Sequence, residues 1–291
     1  MPEHEEVVRA YTKSINAALN AYLPPAETDA VCEAMRYSVE NGGKRIRPIL
    51  TLAFCELCGG DTSSALPFAC AVEMIHAYSL IHDDLPCMDD DDVRRGKPSC
   101  HVRYGEAVAL LAGDGLLTLA FETLLSSDLP AAYLVEAGRE LSSAAGWSGM
   151  IGGQVVDLSN VQRVVTEDDL VYTDIQKTGK LITAAAVLGC IAAGADTRSK
   201  KAAAEYACSL GLTFQIMDDV LDVAGDEAVL GKPVGSDAAN GKATYVTLFG
   251  LDDAKEMALD LTAEAKEKLS IFGSDASFLC SVADTLADRK K

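Results

Sequence analysis

Apolar residues recur three and four positions apart through most of the chain, the spacing that places side chains on one face of an α-helix. This pattern predicts helices over residues 31–39, 65–81, 107–125, 131–144, 181–193, 202–223 and 254–269. Alternation with a period of two, which marks a half-buried β-strand, is not apparent. The Asn-Gly pairs at Asn41 and Asn240 could open hairpin turns, but alternating strands do not flank them. The pattern therefore predicts an all-α protein.

Short breaks that contain glycine or proline separate the predicted helices, for example at Pro24-Pro25 and Gly59-Gly60. A longer irregular stretch is predicted over residues 225–241. The chain shows neither a low-complexity linker nor a repeat of fixed period. We therefore predict one domain over residues 1–291, built as a single large helical bundle.

The composition limits the classes of function. Hydrophobic residues make up 49% of the 291 positions, so the chain has enough apolar surface for a large core and is not globally disordered. There are 25 Lys and Arg residues against 44 Asp and Glu residues, which gives a formal net charge of −19. This excess argues against a nucleic-acid partner, because the phosphate backbone requires a basic surface. It remains compatible with a small anionic substrate in a local basic pocket.

The sequence also predicts the compartment. The acidic segment MPEHEEVV lacks the apolar centre of a signal peptide, and the longest apolar run, 182–195, is too short to span a bilayer. Nine cysteines without a regular framework indicate reduced thiols. No second CxxC pair follows Cys55 and Cys58 at zinc-finger spacing. We therefore expect a cytoplasmic protein without a membrane span.

Two groups of aspartates interrupt apolar helical segments. The first group, DDLPCMDDDD, begins at Asp83 and is broken by Pro86, which disfavours helical geometry at the residue before it. Two carboxylates ~5 Å apart repel each other by roughly 3 kcal/mol at an effective dielectric constant of about 20. Bound Mg²⁺ would turn this repulsion into ligation, since hard oxygen ligands suit that ion. A solvated acidic loop is the alternative, and this run considered alone favours the loop.

The second group, FQIMDDVLD, places Asp218, Asp219 and Asp222 inside another apolar helical stretch. Asp218 and Asp222 are four residues apart and therefore share a helix face. Solvated acids rarely interrupt so apolar a run. Two such groups suit a site in which several Mg²⁺ ions bridge a diphosphate between facing helices.

Basic residues complement these acids. The segment GGKRIRP places Lys44, Arg45 and Arg47 at a predicted junction between a loop and a helix, where glycines, a helix start and cations suit a phosphate group. Arg94 and Arg95 form a second basic patch. Single cations follow at Lys177, Lys232 and Lys242. Neither a Walker loop nor a GxGxxG motif is present, so the sequence does not support binding of a nucleoside triphosphate or a dinucleotide.

In these segments the sequence resembles the trans-prenyl diphosphate synthases, specifically the bacterial short-chain farnesyl/geranylgeranyl branch. The segments that carry the resemblance run in family order along the chain: GGKRIRPIL (42–50), EMIHAYSLIHDDLPCMDDDDVRRGKPSCH (73–101), GMIGGQVVDL (149–158), KTGKLI (177–182), FQIMDDVLD (214–222) and the GKP…GK stretch (231–242). The resemblance implies an all-helical bundle around a deep central cavity, assembled as a homodimer. It also implies a Mg²⁺-dependent condensation of isopentenyl diphosphate with an allylic diphosphate, either dimethylallyl or geranyl.

The resemblance assigns roles to the matching positions. Three Mg²⁺ ions, or Mn²⁺ in their place, would be held on the allylic diphosphate by Asp83, Asp84, Asp89, Asp218, Asp219 and Asp222. The allylic diphosphate would be contacted by Arg94, Lys177, Lys232 and Lys242, with Thr178 and Gln215 beside the reacting carbons. The diphosphate of isopentenyl diphosphate would be held by Lys44, Arg47, His76 and Arg95.

Some residues near these motifs receive no chemical role. We expect His82 to be a hydrogen-bonded helix residue, and Gln154 and Asp157 to be hydrogen-bonding candidates. The basic terminus Arg289-Lys290-Lys291 resembles the tail of some relatives, and we interpret it as a surface feature that aids solubility; a tail that folds over the isopentenyl diphosphate site is the alternative.

Two other classes of protein share part of this pattern. A terpene cyclase would have a helical cavity and an acidic metal motif, but it would have no use for a second basic diphosphate site at Lys44, Arg47 and Arg95. A noncatalytic partner subunit usually lacks aspartates from one motif, whereas both motifs are complete here. We therefore expect a chain-elongating prenyltransferase.

The length of the product is predicted from the helix that carries Asp83. A helix rises ~1.5 Å per residue, so Tyr78 lies ~7.5 Å deeper than Asp83. Ser79 points most nearly to the face of Asp83, while Tyr78 is rotated away by roughly 140° and reaches the channel from its flank. In the resembling family a bulky aromatic residue at this fifth position caps the pocket. We therefore expect farnesyl diphosphate, with geranylgeranyl diphosphate as the alternative.

Overall fold

The computed structural model describes residues 2–160, 164–224 and 243–289, and most of this backbone is helical. Its α-helices are α1 (Pro2–Tyr22), α2 (Ala30–Glu40), α3 (Ile46–Leu57), α4 (Thr62–Asp83), α5 (Cys100–Tyr104), α6 (Glu106–Leu125), α7 (Ala131–Ala145), α8 (Met150–Asn160), α9 (Glu167–Asp174), α10 (Lys180–Ala192), α11 (Thr197–Ala224), α12 (Tyr245–Phe249), α13 (Leu251–Lys268) and α14 (Ser277–Ala287). Two 3₁₀ segments cover Ala26–Thr28 and Leu269–Ala276, and a π-helical turn covers Ile175–Gly179. The prediction of an all-α protein is confirmed, and each of the seven segments predicted above corresponds to one of these helices.

A small β-hairpin is the exception. Strands β1 (Val93–Arg94) and β2 (Lys97–Pro98) pair in antiparallel register, with Arg94 opposite Lys97. The turn between them is Arg95-Gly96, with φ angles of 54° and 74°. Positive φ at both positions is typical of the tightest hairpin turns. The hydrophobic pattern does not predict this hairpin, because two residues per strand are too few to show an alternation.

The chain forms two compact units. The N-terminal unit comprises Met1–Arg139 with Ile191–Gly194, and the C-terminal unit comprises Glu140–Cys190 with Ala195–Lys291. The prediction of one domain over residues 1–291 stays a prediction.

In the N-terminal unit, α4 is the central helix. It starts at the N-cap residue Asp61, whose carboxylate accepts a hydrogen bond from the Ser63 backbone N–H. The helix is apolar around its whole circumference, as expected for a helix that is packed on most sides. Phe68, Met74 and Ile75 are fully buried on it. Helices α3 and α6 pack against α4, so that its C-terminal end, which carries Asp83, has a rigid support.

In the C-terminal unit, α11 and α13 form the main helix pair. Tyr206 on α11 is fully buried, and its hydroxyl donates a hydrogen bond to the Leu279 carbonyl oxygen at 2.9 Å. Further along α11, Ile216 and Val220 belong to a buried cluster that includes Tyr245 of α12. The three aspartates predicted on α11 therefore stand on a helix whose other faces are fixed in a core.

In the part of the chain that the structure describes, two helices are long and apolar enough to cross a membrane by length and composition, namely α4 and α6. The most apolar window of α4 is 72% buried inside the protein, while that of α6 is 39% buried. Core helices of soluble proteins have the same properties, so this observation is weak evidence for a span. The prediction of a protein without a membrane span stays a prediction.

Candidate active site

The first aspartate motif lies where α4 ends. Asp83 is the last residue of the helix, and Asp84 follows it as the C-cap with helical backbone angles. After Pro86 the chain folds back, so that the Asp89 backbone N–H donates a hydrogen bond to the Asp83 carbonyl oxygen at 2.9 Å. The loop therefore brings the predicted residues Asp83, Asp84 and Asp89 to one place at the end of a rigid helix.

Within this motif, Asp84 and Arg94 bind each other. Asp84 is only 2% exposed, and its Oδ1 accepts hydrogen bonds from both Nε and Nη2 of Arg94. Arg94 Nη2 also donates to Asp91 at 3.0 Å. Burial raises the pKa of Asp84, and the Arg94 guanidinium opposes this rise. A buried carboxylate is thus compensated by the arginine that the β-hairpin presents.

The predicted basic residues also meet in the N-terminal unit. Gly42 and Gly43 have φ angles of 87° and 119°, and the Gly42 carbonyl oxygen accepts a hydrogen bond from the Arg95 guanidinium. A Cβ atom on Gly43 would lie 2.8 Å from the same guanidinium, and the φ of 119° is strained for any residue that has a Cβ, so glycine suits this turn. The structure therefore joins the GGKRIRP segment to Arg95 of the hairpin.

Arg47 and His76 lie in the electrostatic field of this cluster. Burial lowers the pKa of Arg47 to about 10, with Glu73 opposing the change and Arg95 adding to it. Burial and the neighbouring arginines, Arg47 first, hold the pKa of His76 well below its usual value, so the imidazole is neutral. The Nε of Arg47 is buried without a hydrogen-bond partner among the described residues. Buried cations with unused donors indicate a site for an anion.

Arg45 faces away from this site, although it stands between Lys44 and Arg47 in the sequence. It adopts a left-handed φ of 52° and is 6% exposed. Its guanidinium donates hydrogen bonds to Glu73 at 2.7 Å and to the Val39 carbonyl oxygen at 2.7 Å. Arg45 therefore stabilises the start of α3, whereas the Nε atom of Arg47 keeps an unused donor among the described residues.

The predicted chain-length residues lie one turn further into α4. Tyr78 is 5% exposed, and burial raises the pKa of its hydroxyl to about 12, with a contribution from Asp83. The Ser79 hydroxyl donates a hydrogen bond to the His76 carbonyl oxygen within the same helix. Tyr78 is thus the bulkier and more enclosed of the two residues.

In the C-terminal unit, Lys177 and Thr178 lie on the π-helical turn between α9 and α10. Such turns are frequent at functional sites, because they shift side chains out of the regular helical position. Gly153 of α8 packs against the backbone of Lys177 so closely that a Cβ atom would overlap it. The Lys177 ammonium donates a hydrogen bond to Asp157 at 2.6 Å. Asp157, to which the sequence assigns no role, is thus the partner that orients Lys177.

The same turn meets α11 at a contact between glycines. A Cβ atom on Gly211 would lie 3.1 Å from the Gly179 Cα, so the two backbones approach closely. Gln215 stands four residues after Gly211 and therefore on the same face of α11. Gln215 also interacts with Asp174, the last residue of α9. The structure in this way places Gln215 beside the end of α9, directly before the turn that carries Thr178.

The second aspartate motif is bound by distant parts of the chain. Asp218 Oδ1 accepts a hydrogen bond from Arg289 Nη2 at 2.7 Å, and the Arg289 guanidinium lies 4.5 Å from the centre of the Phe214 ring. Asp219 Oδ2 accepts a hydrogen bond from the Tyr245 backbone N–H at 2.8 Å. Asp222 is 2% exposed. The prediction that Arg289 is a surface residue is wrong, because its side chain is 10% exposed in this ion pair.

One buried acid of this region is absent from the sequence prediction. Burial raises the pKa of Asp174 to about 7; the Tyr245 hydroxyl and Lys177 favour its ionised form, and Asp157 opposes it. Burial and Asp174 in turn raise the pKa of Tyr245. No local sequence signal identifies Asp174, since the side chains around it come from α8, α11 and α12. The predicted Lys232 and Lys242 lie outside the described residues.

The carboxylates fit a hard divalent cation by their chemistry. Among residues 2–160, 164–224 and 243–289, His, Cys, Asp and Glu side chains do not form a preassembled group of three or more that could hold a metal ion. However, every predicted ligand is a carboxylate, which is the donor that Mg²⁺ prefers. Asp84 and Asp218 each bind an arginine, so a divalent cation would compete with Arg94 and Arg289 for them.

Comparisons with known proteins agree with these features. A family model described as polyprenyl synthetase matches residues 28–271. A farnesyl diphosphate synthase of Geobacillus stearothermophilus is 43% identical over 289 residues, which cover 98% of this chain and 97% of that protein. A geranylgeranyl diphosphate synthase of Cyanophora paradoxa is 44% identical over 278 residues, covering 94% of this chain and 93% of that protein.

A solved structure has the same fold. The crystal structure of a geranyltransferase from Legionella pneumophila superimposes with a TM-score of 0.88 and 37% identity, covering 99% of this chain and 98% of that one. The family model and these relatives extend over almost the whole sequence. The chain therefore belongs to the polyprenyl synthetase family and is a trans-prenyl diphosphate synthase.

Proposed function

We propose that this short-chain trans-prenyl diphosphate synthase condenses isopentenyl diphosphate with dimethylallyl and then geranyl diphosphate, and that farnesyl diphosphate is its main product. The observation that carries the proposal is the basic cluster of Arg47, neutral His76 and Arg95 in the N-terminal unit. This cluster supplies an anion site in addition to the two aspartate motifs. A terpene cyclase has one diphosphate to bind and would have no use for it.

The proposed chemistry separates binding from ionisation. Lys44, Arg47, His76 and Arg95 would hold the diphosphate of isopentenyl diphosphate, so that its double bond is positioned for attack. Arg94 and Lys177 would bind the allylic diphosphate and stabilise the negative charge that develops as it departs. Lys177 enters this role already oriented by Asp157. Lys232 and Lys242 are proposed for the same diphosphate from the sequence resemblance.

Carboxylates of both motifs would hold Mg²⁺, which when bound neutralises the leaving diphosphate as a Lewis acid. The ligands proposed are Asp83, Asp84, Asp89, Asp218, Asp219 and Asp222. The dipoles of the Thr178 hydroxyl and the Gln215 amide would stabilise cationic character on the allylic carbons. After the new carbon–carbon bond forms, the released diphosphate would accept the proton that leaves the isopentenyl unit.

The proposed product rests on Tyr78. Its ring is 5% exposed and lies one turn below Asp83, where it would stop a growing chain that runs along α4. Sequence identity does not separate the two candidate products, because a farnesyl and a geranylgeranyl synthase are 43% and 44% identical to this chain. Geranylgeranyl diphosphate is therefore the second candidate.

We also propose a homodimer in the cytoplasm. Leu110 and Leu111 on α6 are 47% and 53% exposed, and such neighbouring apolar side chains are suited to burial against a second copy. Sedimentation at micromolar concentration would measure the dimer directly. The nine cysteines are free thiols, which supports a reducing compartment.

A direct test is incubation of the purified protein with labelled isopentenyl diphosphate, Mg²⁺ and each allylic primer, followed by analysis of product length. We expect elongation of dimethylallyl and geranyl diphosphates that stops at farnesyl diphosphate. A geranylgeranyl product would support the second candidate, and a cyclic hydrocarbon would support a cyclase. A protein that is inactive until another synthase subunit is added would be a noncatalytic partner.

A further inference from the structure

His82 lies on the last turn of α4, directly before the first aspartate motif. Its Nε2 atom is 3.0 Å from the Leu110 carbonyl oxygen of α6. A carbonyl oxygen only accepts hydrogen bonds, so Nε2 carries the proton and donates it. The predicted hydrogen bond of His82 therefore leads to the neighbouring helix α6 and fixes the plane of the imidazole ring.

The imidazole ring of His82 packs directly against the backbone of Gly113, which has no side chain. A Cβ atom added to Gly113 would overlap Nε2 of His82, so any larger residue would displace the ring. Gly113 is three residues after Leu110 and lies on the same face of α6. The hydrogen-bond acceptor and the space for the ring are thus supplied by one patch of helix surface.

On its other side, His82 contacts Tyr78. The two ring centroids are 5.7 Å apart and the planes are inclined by 76°, which is an edge-to-face arrangement. The Tyr78 hydroxyl is buried and has no hydrogen-bond partner among the described residues. Within the described residues, the edge-to-face contact with His82 is thus a directional support of the Tyr78 ring where a hydrogen bond to its hydroxyl is missing.

We propose that His82 is a positioning residue for product length: with Leu110 and Gly113 of α6 it holds the Tyr78 ring in the place where the growing chain stops. The inference rests on the proposed function of Tyr78 as the floor of the channel. It assigns His82 no contact with substrate. Its effect on the length of the product passes through the ring of Tyr78.

The first experiment compares two substitutions at His82. His82→Gln keeps a donor for the Leu110 carbonyl oxygen but removes the ring, whereas His82→Phe keeps a ring and loses the donor. At equal substrate conversion we expect His82→Gln to raise the ratio of C20 to C15 product at least severalfold. We expect His82→Phe to remain closer to the wild-type ratio. A purely structural role of His82 would lower the melting temperature and the rate but leave this ratio unchanged.

A matched pair of glycines on α6 tests the support from the other helix. Gly113→Ala displaces His82, so we expect the ratio to change in the same direction as with His82→Gln. In Gly115→Ala the new Cβ atom would lie 2.9 Å from the Met35 Sδ atom, which belongs to a flexible side chain that can move. We therefore expect Gly115→Ala to keep the wild-type ratio. A change of equal size in both variants would contradict the proposal.

A double variant separates this inference from the proposed function. If His82 acts through Tyr78, then Tyr78→Ala with His82→Gln has the same product ratio as Tyr78→Ala alone. If Tyr78→Ala lengthens the product but His82→Gln does not, the inference about His82 is wrong and the floor at Tyr78 stands. If Tyr78→Ala leaves the product unchanged, the proposed floor is wrong, and His82 loses its role with it. Additive effects of the two changes would also overturn the inference.

Discussion

The two units differ in where the binding partners of their aspartate motifs lie in the sequence. In the N-terminal unit the buried Asp84 binds Arg94, which is ten residues later, on strand β1. In the C-terminal unit Asp218 binds Arg289, which is 71 residues away, and Asp219 binds the Tyr245 backbone, 26 residues away. Both arrangements balance carboxylates that a helix places in a partly apolar environment. The partner of the first motif is thus close in sequence, while the partners of the second motif come from distant helices of the same unit.

The largest effect should come from removing one carboxylate in either unit. We expect Asp83→Ala and Asp218→Ala each to lower kcat by about 10²–10³-fold or more, because charge on the departing diphosphate loses stabilisation. Turnover at saturating substrates and Mg²⁺ measures this effect, with circular dichroism as the control for folding. Near-wild-type turnover in either variant would contradict the assignment of both motifs to the metal site.

Basic residues of the two units should separate the two substrates. We expect Arg47→Ala to raise the KM for isopentenyl diphosphate by about 10–100-fold, as for the loss of a charge-assisted hydrogen bond. Lys177→Ala should instead raise the KM for the allylic diphosphate, and Lys232→Ala should behave in the same way. Steady-state kinetics with each substrate varied in turn measures both effects. Equal effects of all three changes on both substrates would show that this assignment is wrong.

The buried Asp174 predicts how stability depends on pH. Its pKa is raised from an ordinary value of 3.8 to about 7, mainly by burial, so the folded state binds more protons than the unfolded state between these values. Asp174 therefore lowers the free energy of unfolding progressively as the pH rises from about 4 to about 7. Above pH 7 the free energy of unfolding stays lower by this full amount.

The isosteric variant Asp174→Asn isolates this contribution. We expect its free energy of unfolding to exceed that of the wild type by about 1–3 kcal/mol at pH 8. At pH 5 we expect a smaller difference between the two proteins. Denaturant unfolding at both pH values measures the difference. An equal change at both values would mean that Asp174 does not titrate in this range.

The smallest effect concerns the ion pair at the second motif. Arg289→Ala removes the competitor of a cation at Asp218, and an ion pair of this exposure contributes about 1 kcal/mol or less. We therefore expect the Mg²⁺ concentration for half-maximal activity to fall by at most about fivefold. The stabilisation of the folded protein by Mg²⁺ with inorganic pyrophosphate gives a readout that is independent of turnover.

Arg289→Lys is the control, because it retains the charge but loses the planar guanidinium over Phe214. Competition predicts that the Mg²⁺ concentration for half-maximal activity is near the wild-type value in Arg289→Lys and lower in Arg289→Ala. A higher Mg²⁺ requirement in Arg289→Ala would instead mean that Arg289 assists binding of the cation or its diphosphate.

The sequence by itself determined the helices, the two aspartate motifs and the family. Short segments of the sequence are enough to show these features. They are apolar residues that recur every three or four positions, or a few charged residues at fixed spacing. Asp83 and Asp89, for example, come together because a proline ends the helix and the loop is short. Local geometry is enough for such a prediction.

Only the tertiary structure decided which charge meets which partner. Arg45 and Arg47 are two residues apart in the same motif, yet Arg45 is bound to Glu73 in the core, while the Nε of Arg47 has no hydrogen-bond partner among the described residues. Asp174 carries no local signal, and the basic terminus does not reveal the partner of Arg289, because both environments are built by residues distant in sequence. The energy of a buried charge depends on its surroundings in three dimensions, and those surroundings exist only once the helices have packed.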